Sequence, residues 1–396
     1  MTAAGVPEIV GRSVRHDPSY PTTARRRSPA LLVALLVAAV LAVVVVVNAR
    51  SHPGGETASL AGAAGVPAAS ASNLVVASIP YWDLGPGSAA VEANPHAVGE
   101  ISPWIYTIGS NGNVTSAVPP QDTATATATM TKLRSLGVPI MPSVSNMVGG
   151  DFSYGAVAPV LHDPATMERN ISSITQLAVA QNYAGIDLDY EELQGGDRAA
   201  FSTFVTQLAD SLHAQHKKLS VAVFAKTDDA GEDQRNVAQD YAAIGAAADE
   251  VRLMTYDYHW QTSPPGPLAP SGWVHDVLAY ATTVIPREKL VVGLDAAGYD
   301  WVGNQAQVLS FAQATQLAAS HGVTVQFDPL SQSPWFRYTD ARGTEHEVWF
   351  ENTASSQAKR SVAASFGVTN VFLWMFGPPD PTLWGALGSP PPGGTG

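Results

Sequence analysis

Residues 183–192 read Tyr-Ala-Gly-Ile-Asp-Leu-Asp-Tyr-Glu-Glu, "YAGIDLDYEE". Acids at 187, 189 and 191 alternate with Ile186, Leu188 and Tyr190. Every second side chain of a strand faces the same way, so this alternation predicts a strand with two unlike faces. One face is apolar, and the other carries Asp187, Asp189 and Glu191 in file. Like charges so placed repel, and at least one carboxyl is driven to hold a proton near neutral pH. A solvated edge strand has no need of such apolar intervening residues. A calcium loop needs Gly at its sixth position, and counted from Asp187 that position is Glu192. The stretch therefore marks a candidate reaction site.

Outward from it, short apolar runs alternate with polar helical stretches. The runs are 74–80, 101–108, 138–144, 184–190, 219–224, 250–256, 289–295 and 369–375. Between them lie helices such as 163–181, opened by Asp163-Pro164 as a cap followed by proline. A second helix, 198–216, carries Phe201, Phe204, Val205, Leu208 and Leu212 on one side. Strands that alternate with helices imply parallel strands with helices outside. Eight such units predict an α/β fold, a (β/α)8 TIM barrel, with a doubly wound open sheet as the rival. A barrel builds its active site at the C-terminal strand ends, where the acids of strand four sit. The long gap 303–351 holds a helical stretch and three strand-like pieces. It is expected to form a small α+β insertion between strands seven and eight.

The chain of 396 residues is 45% hydrophobic and lacks cysteine, which excludes disulfides, thiolate metal sites and a cysteine nucleophile. Residues 1–73 carry six Lys/Arg and three Asp/Glu, leaving 15 basic against 31 acidic residues beyond them. So acidic a domain is a poor nucleic-acid partner. Arg25-Arg26-Arg27 precede an uncharged run from Pro29 to Val47, long enough to span a bilayer. The organisation expected is a basic cytoplasmic segment (1–28), a transmembrane signal anchor (29–49), a flexible linker (50–73), the barrel (74–386) and a disordered tail (387–396). The arginines would stay inside and the barrel outside, on the cell membrane. Secretion after cleavage near Val47-Asn48-Ala49 is the alternative. No histidine spacing suggests a metal site, no cofactor is expected, and the protein is expected to be a monomer. Asn170-Ile171-Ser172 matches a glycosylation acceptor but is a common tripeptide.

Several segments resemble glycoside hydrolase family 18. "AGIDLDYE" is similar to its strand-four signature Asp-Gly-x-Asp-x-Asp-x-Glu, "LMTYDYH" (253–259) to its Met-x-Tyr-Asp element on strand six, and "VFLWMFG" (371–377) to its strand-eight segment. "VVGLDAAGYDW" (291–301) and "VWFENTASSQAK" (348–359) resemble a bacterial branch of spore-cortex N-acetylglucosaminidases and related cell-wall enzymes. The resemblance covers about 74–386. It implies a glycosidase acting at N-acetylglucosamine in peptidoglycan or chitin-type glycans. It makes Glu191 the general acid, and Asp189 the acceptor of the substrate acetamido N–H. Asp187 would share a proton with Asp189, and Tyr256 would hold the acetamido carbonyl. This scheme lacks a carboxylate nucleophile, an exception to the two-carboxylate rule. Met254 and Asp257 would line the pocket, with Trp374 under the sugar. Trp82, Trp260 and Trp301 follow strands one, six and seven and are candidate sugar platforms. His259 would be a subsite contact.

Two departures stand out. Ala184 occupies the place of the signature's first Asp, and an Asp supplied there is expected to alter the pH dependence. "GLDAAGYDW" lacks the proline and first aromatic usual in that branch. A catalytically silent sugar-binding module on the same fold is the alternative function.

Overall fold

The computed structural model describes residues 73–391. The expected anchor and nearly all of the linker lie outside the described residues, as does 392–396. Among the described residues, no helix is long and apolar enough to cross a membrane.

Eight parallel strands form the centre: β1 (Val75–Pro80), β2 (Glu100–Ile108), β3 (Ser143–Ser145), β4 (Gly185–Asp189), β5 (Lys218–Phe224), β6 (Glu250–Met254), β7 (Leu290–Asp295) and β8 (Val371–Trp374). Each pairs with its sequence neighbours, and β8 pairs in parallel with β1, so the ring closes. This is the (β/α)8 barrel rather than an open sheet. Helices such as Pro164–Ala180, Arg198–His213, Ser271–Val284 and Thr353–Ser365 surround it. Asp163 caps the first of these by accepting from the Thr166 amide at 3.1 Å.

The parity of β4 sorts its side chains as the alternation predicts. Ile186, Leu188 and Tyr190 join the large apolar cluster between strands and helices. Tyr190 stacks on Phe204, ring centroids 5.6 Å apart, and donates to Asn170 Oδ1 at 2.9 Å. Asn170 is fully buried and also donates to Gly112 O, so it is a structural clamp, not a glycan acceptor. Gly185 opens β4 where a Cβ would collide with Lys218 O of β5. Only glycine lets the two strands approach there.

The third strand differs most from expectation. The run 138–144 yields only an isolated bridge, Ile101 to Ile140, before β3 begins at Ser143. Pro139 and Pro142 have no N–H to offer a ladder, which shortens the strand.

The insertion is a five-stranded antiparallel sheet of Ala297–Val302, Gln305–Ser310, Gln326–Asp328, Ser333–Thr339 and Glu345–Phe350, with one helix, Phe311–Ser320. It starts ahead of the expected boundary at 303. Val302 pairs with Gln305 across Gly303-Asn304, and Gly303 has φ +62°. That two-residue turn is a hairpin signal, and it makes Gln305–Ser310, within the expected insertion, a strand. At the other end, the ordered chain runs past 386. Leu387 is fully buried, and Ser389 O accepts from Arg360 at 2.8 Å.

Candidate active site

The acidic file of β4 points along the barrel axis toward the C-terminal strand ends. Asp187 and Asp189 are buried, and Glu191, just beyond the strand, is half-buried. Asp187 Oδ2 accepts from Ser143 Oγ of β3 at 2.6 Å and meets the Arg252 guanidinium of β6 at 3.0 Å. Asp189 Oδ2 accepts from the Trp104 indole of β2 at 2.9 Å. The Oδ1 atoms of both aspartates are buried without a hydrogen-bond partner. Burial, and then the charge of Asp187, push the Asp189 carboxyl up to about 7. Burial, and then Asp189, raise Glu191 well above the usual carboxylate range. The file can therefore hold protons at neutral pH, which an acid catalyst requires.

The main chain of Glu191 is held by one side chain. Asn146, fully buried just after β3, accepts from the Glu191 amide at 2.9 Å and donates to its carbonyl at 2.8 Å. Glu192 follows with φ +54°, and Asp257, the residue after Tyr256, has φ +55°. Left-handed non-glycine residues are uncommon and gather where surrounding structure over-determines the backbone. Here they end the two strands that present Glu191 and Tyr256. Arg235 reaches Glu192 at 3.3 Å.

Tyr256 lies half-buried, its ring 5.9 Å from that of Phe372. Gly293 of β7 makes that seat, since a Cβ there would stand 2.6 Å from Leu253 O and 2.8 Å from the Tyr256 ring. Burial holds the Tyr256 hydroxyl well above the ordinary tyrosine value, so it stays a donor. Asp257 accepts from Tyr299 at 2.8 Å, which ties the mouth to the insertion. Met254 packs in the interior with Val76, Ala222, Val291 and Phe372. At the end of β7, where the departure from the related branch falls, Asp295 accepts from the Ala297 amide at 2.9 Å.

Aromatic rings complete the mouth. Trp374 is half-buried, with its centroid 6.2 Å from Trp82 and 6.3 Å from Trp104. Trp260 is 42% exposed and lies under Arg235, 5.5 Å from its guanidinium. Trp301 does not join them. It is 1% exposed, and its indole donates to Trp260 O and Ser263 O. It anchors the loop after β6 rather than offering a face to a sugar. His259 likewise binds its own loop, at Pro264 O.

Ala184 stands apart from the file. It precedes β4 on the parity of Ile186 and Leu188, half-buried, with its amide bonded to Ile140 O at 2.9 Å.

Sequence reading missed Trp104, Ser143, Asn146, Arg252 and Glu100. Part of the signal was present. Glu100, Ser102 and Trp104 alternate along β2, and Glu250, Arg252 and Met254 along β6, with the same period as the acids of β4.

Comparison with known proteins converges on one family. The sequence matches the family "Glycosyl hydrolases family 18" over residues 76–377. It is 31% identical over 313 residues to the cortical fragment-lytic enzyme of Bacillus subtilis (strain 168), covering 75% of this chain and 70% of that protein. The fold is similar to that of a chitinase from Chromobacterium violaceum ATCC 12472, with a TM-score of 0.73 and 29% identity, covering 79% of this chain and 97% of the other. It is also similar to the spore cortex-lytic enzyme SleL of Bacillus cereus, with a TM-score of 0.71 and 27% identity, covering 79% and 73%. The chain belongs to glycosyl hydrolases family 18 and, by that membership, is a glycosidase.

Proposed function

We propose that the protein cleaves β-1,4 bonds at N-acetylglucosamine in peptidoglycan or chitin-type glycans, by substrate-assisted catalysis with retention. The observation that carries this reading is the file Asp187–Asp189–Glu191. It has a proton-holding Glu191 at the open end and a donor on one oxygen of each aspartate. Glu191 protonates the glycosidic oxygen as its bond to the anomeric carbon breaks. The substrate acetamido oxygen attacks that carbon, with its N–H held by Asp189 and its carbonyl by Tyr256. Glu191, now ionised, takes a proton from the water that opens the cyclic intermediate. Trp374 supplies the floor, and Trp82 and Trp260 extend it. A sugar without a 2-acetamido group cannot react in this way.

The cell-wall names among the relatives favour peptidoglycan as the substrate. Digesting purified peptidoglycan and chitin, with reducing ends identified by mass spectrometry, tests this. N-acetylglucosamine at the new reducing end of peptidoglycan fragments is expected. Release of muramic reducing ends, or of nothing from either polymer, would sink the proposal. The catalytically silent alternative makes a different forecast: oligosaccharide binding without hydrolysis of a fluorogenic chito-oligosaccharide. On the charge asymmetry around residues 29–47, we also propose that this segment tethers the barrel outside the cell. Protease added to intact cells should then release it, and full protection would count against the tether.

A further inference from the structure

The barrel interior holds a second charged group that this reaction scheme does not use. Arg252 is 1% exposed. Its guanidinium meets Asp187 Oδ2 at 3.0 Å, donates to Ser102 Oγ at 2.8 Å and pairs with Glu100. It lies 3.7 Å from Glu250, which reaches Lys218 at 3.4 Å. The charged groups acting on this cluster are thus Glu100 from β2, Asp187 and Asp189 from β4, Lys218 from β5 and Glu250 from β6. β3 adds neutral Ser143, and β1, β7 and β8 add Val76, Val291 and Phe372 to the interior.

The two aspartates are served unequally. Asp187 Oδ2 receives a hydroxyl and a guanidinium, whereas Asp189 Oδ2 receives one neutral indole N–H. A bond from a cation favours the ionised acceptor more than a bond from a neutral donor does. Neighbouring buried carboxylates resist double ionisation and titrate as a unit. Resting on the glycosidase reading above, we infer that Arg252, anchored by Glu100, is a positioning residue that fixes Asp187 as the ionised member of the pair and so leaves the pair's proton on Asp189, next to Glu191. The rise of the Asp189 carboxyl to about 7 accords with that placement. Arg252 touches no substrate and acts only through Asp187.

A purely structural ion pair would hold the fold without moving this proton, so the test reads the titration itself. Full-length protein carrying carbon-13 in its aspartate carboxyls is titrated by NMR as wild type, Glu100→Gln, Arg252→Met and the double variant. Glu100→Gln leaves the guanidinium less neutralised and should widen the gap between the midpoints of the two aspartates, with Asp189 still the one that keeps its proton to higher pH. Arg252→Met removes the cation from Asp187 and should narrow or reverse that gap, because the pair's proton is then free to move to Asp187. The double variant should fall between the two. A gap unchanged from wild type in the single variants would overturn the inference. If Arg252→Met does not fold, Glu100→Gln decides alone. The NMR readout does not depend on turnover, so a wild type that hydrolyses no chito-oligosaccharide counts against the glycosidase reading only.

Discussion

Glu100 and Glu191 are both glutamates enclosed by the same barrel, yet they are built for opposite ends. Glu100, low on β2, is paired with Arg252 and is 3% exposed. Glu191, beyond the top of β4, is half-buried, and its fixed partners are to its main chain. A buried pair is expensive to break from one side, because the partner is left charged and unpaired. A carboxyl whose backbone alone is clamped is aimed without being spent. The lower tier therefore sets charge, and the upper tier presents a group that is free to react.

The largest effect expected from this contrast is on turnover at the upper tier. Glu191→Gln keeps the Asn146 clamp, which uses only backbone atoms, so the fold and the melting temperature should stay near wild type. Turnover on a fluorogenic chito-oligosaccharide should fall by about 10²–10⁴-fold, the usual worth of a general acid. Near-native turnover would remove Glu191 from that role.

The two tryptophans next to the mouth repeat the contrast. Trp301→Ala empties a buried site and removes the donor to two loop carbonyls. It should cost about 3–5 kcal/mol in denaturant unfolding, as large buried aromatics do. Trp260→Ala, at an exposed position, should leave stability almost unchanged and weaken binding of long oligosaccharides, read as a higher KM. Equal stability losses at the two positions would erase the distinction between anchor and platform.

Much of this was legible in the sequence because it is local. Strand parity alone placed Asp187, Asp189 and Glu191 together, since the period of a strand is set by its own backbone. Asp163-Pro164 marked its helix for the same reason. What stayed hidden depends on closure. Trp104 and Arg252 reach β4 from strands distant in sequence, and read singly "ISPWIY" and "VRLM" look like buried runs. Trp301 looked like a platform because order along the chain does not tell which side of a loop a ring takes. The Gly303-Asn304 hairpin was readable from its dipeptide and was overlooked inside a long apolar-rich stretch.

A smaller effect should appear in the pH dependence of stability. Burial raises Asp189 from an ordinary 3.8 to about 7. The folded protein therefore holds a proton in that interval which the unfolded chain has lost. By linkage, stability falls as pH rises from about 4 toward about 7, and levels above it. Asp189→Asn should flatten the lower part of that fall while cutting turnover strongly. A melting temperature that rises over this interval in the wild type would contradict the assigned protonation.

The smallest effect is expected at Ala184, which belongs to neither tier. The related signature carries an aspartate there, and the sequence alone suggested that restoring it would move the pH profile. Counted along the chain, position 184 shares the parity of Ile186 and Leu188 rather than that of the acids, and it lies one residue before β4 begins. Asp187 already takes Ser143 and Arg252 from inside the ring, and a carboxylate at 184 would have to cross the strand to join them. It is half-buried and can reach solvent, so Ala184→Asp escapes the full penalty of an enclosed charge. The change should stay within about 0.5 kcal/mol, as for most surface substitutions, and the pH–rate profile should overlay that of the wild type. A shifted basic limb would mean that a carboxylate at 184 couples to Asp187 through the strand, and the sharp division between inner file and outer shell would have to be redrawn.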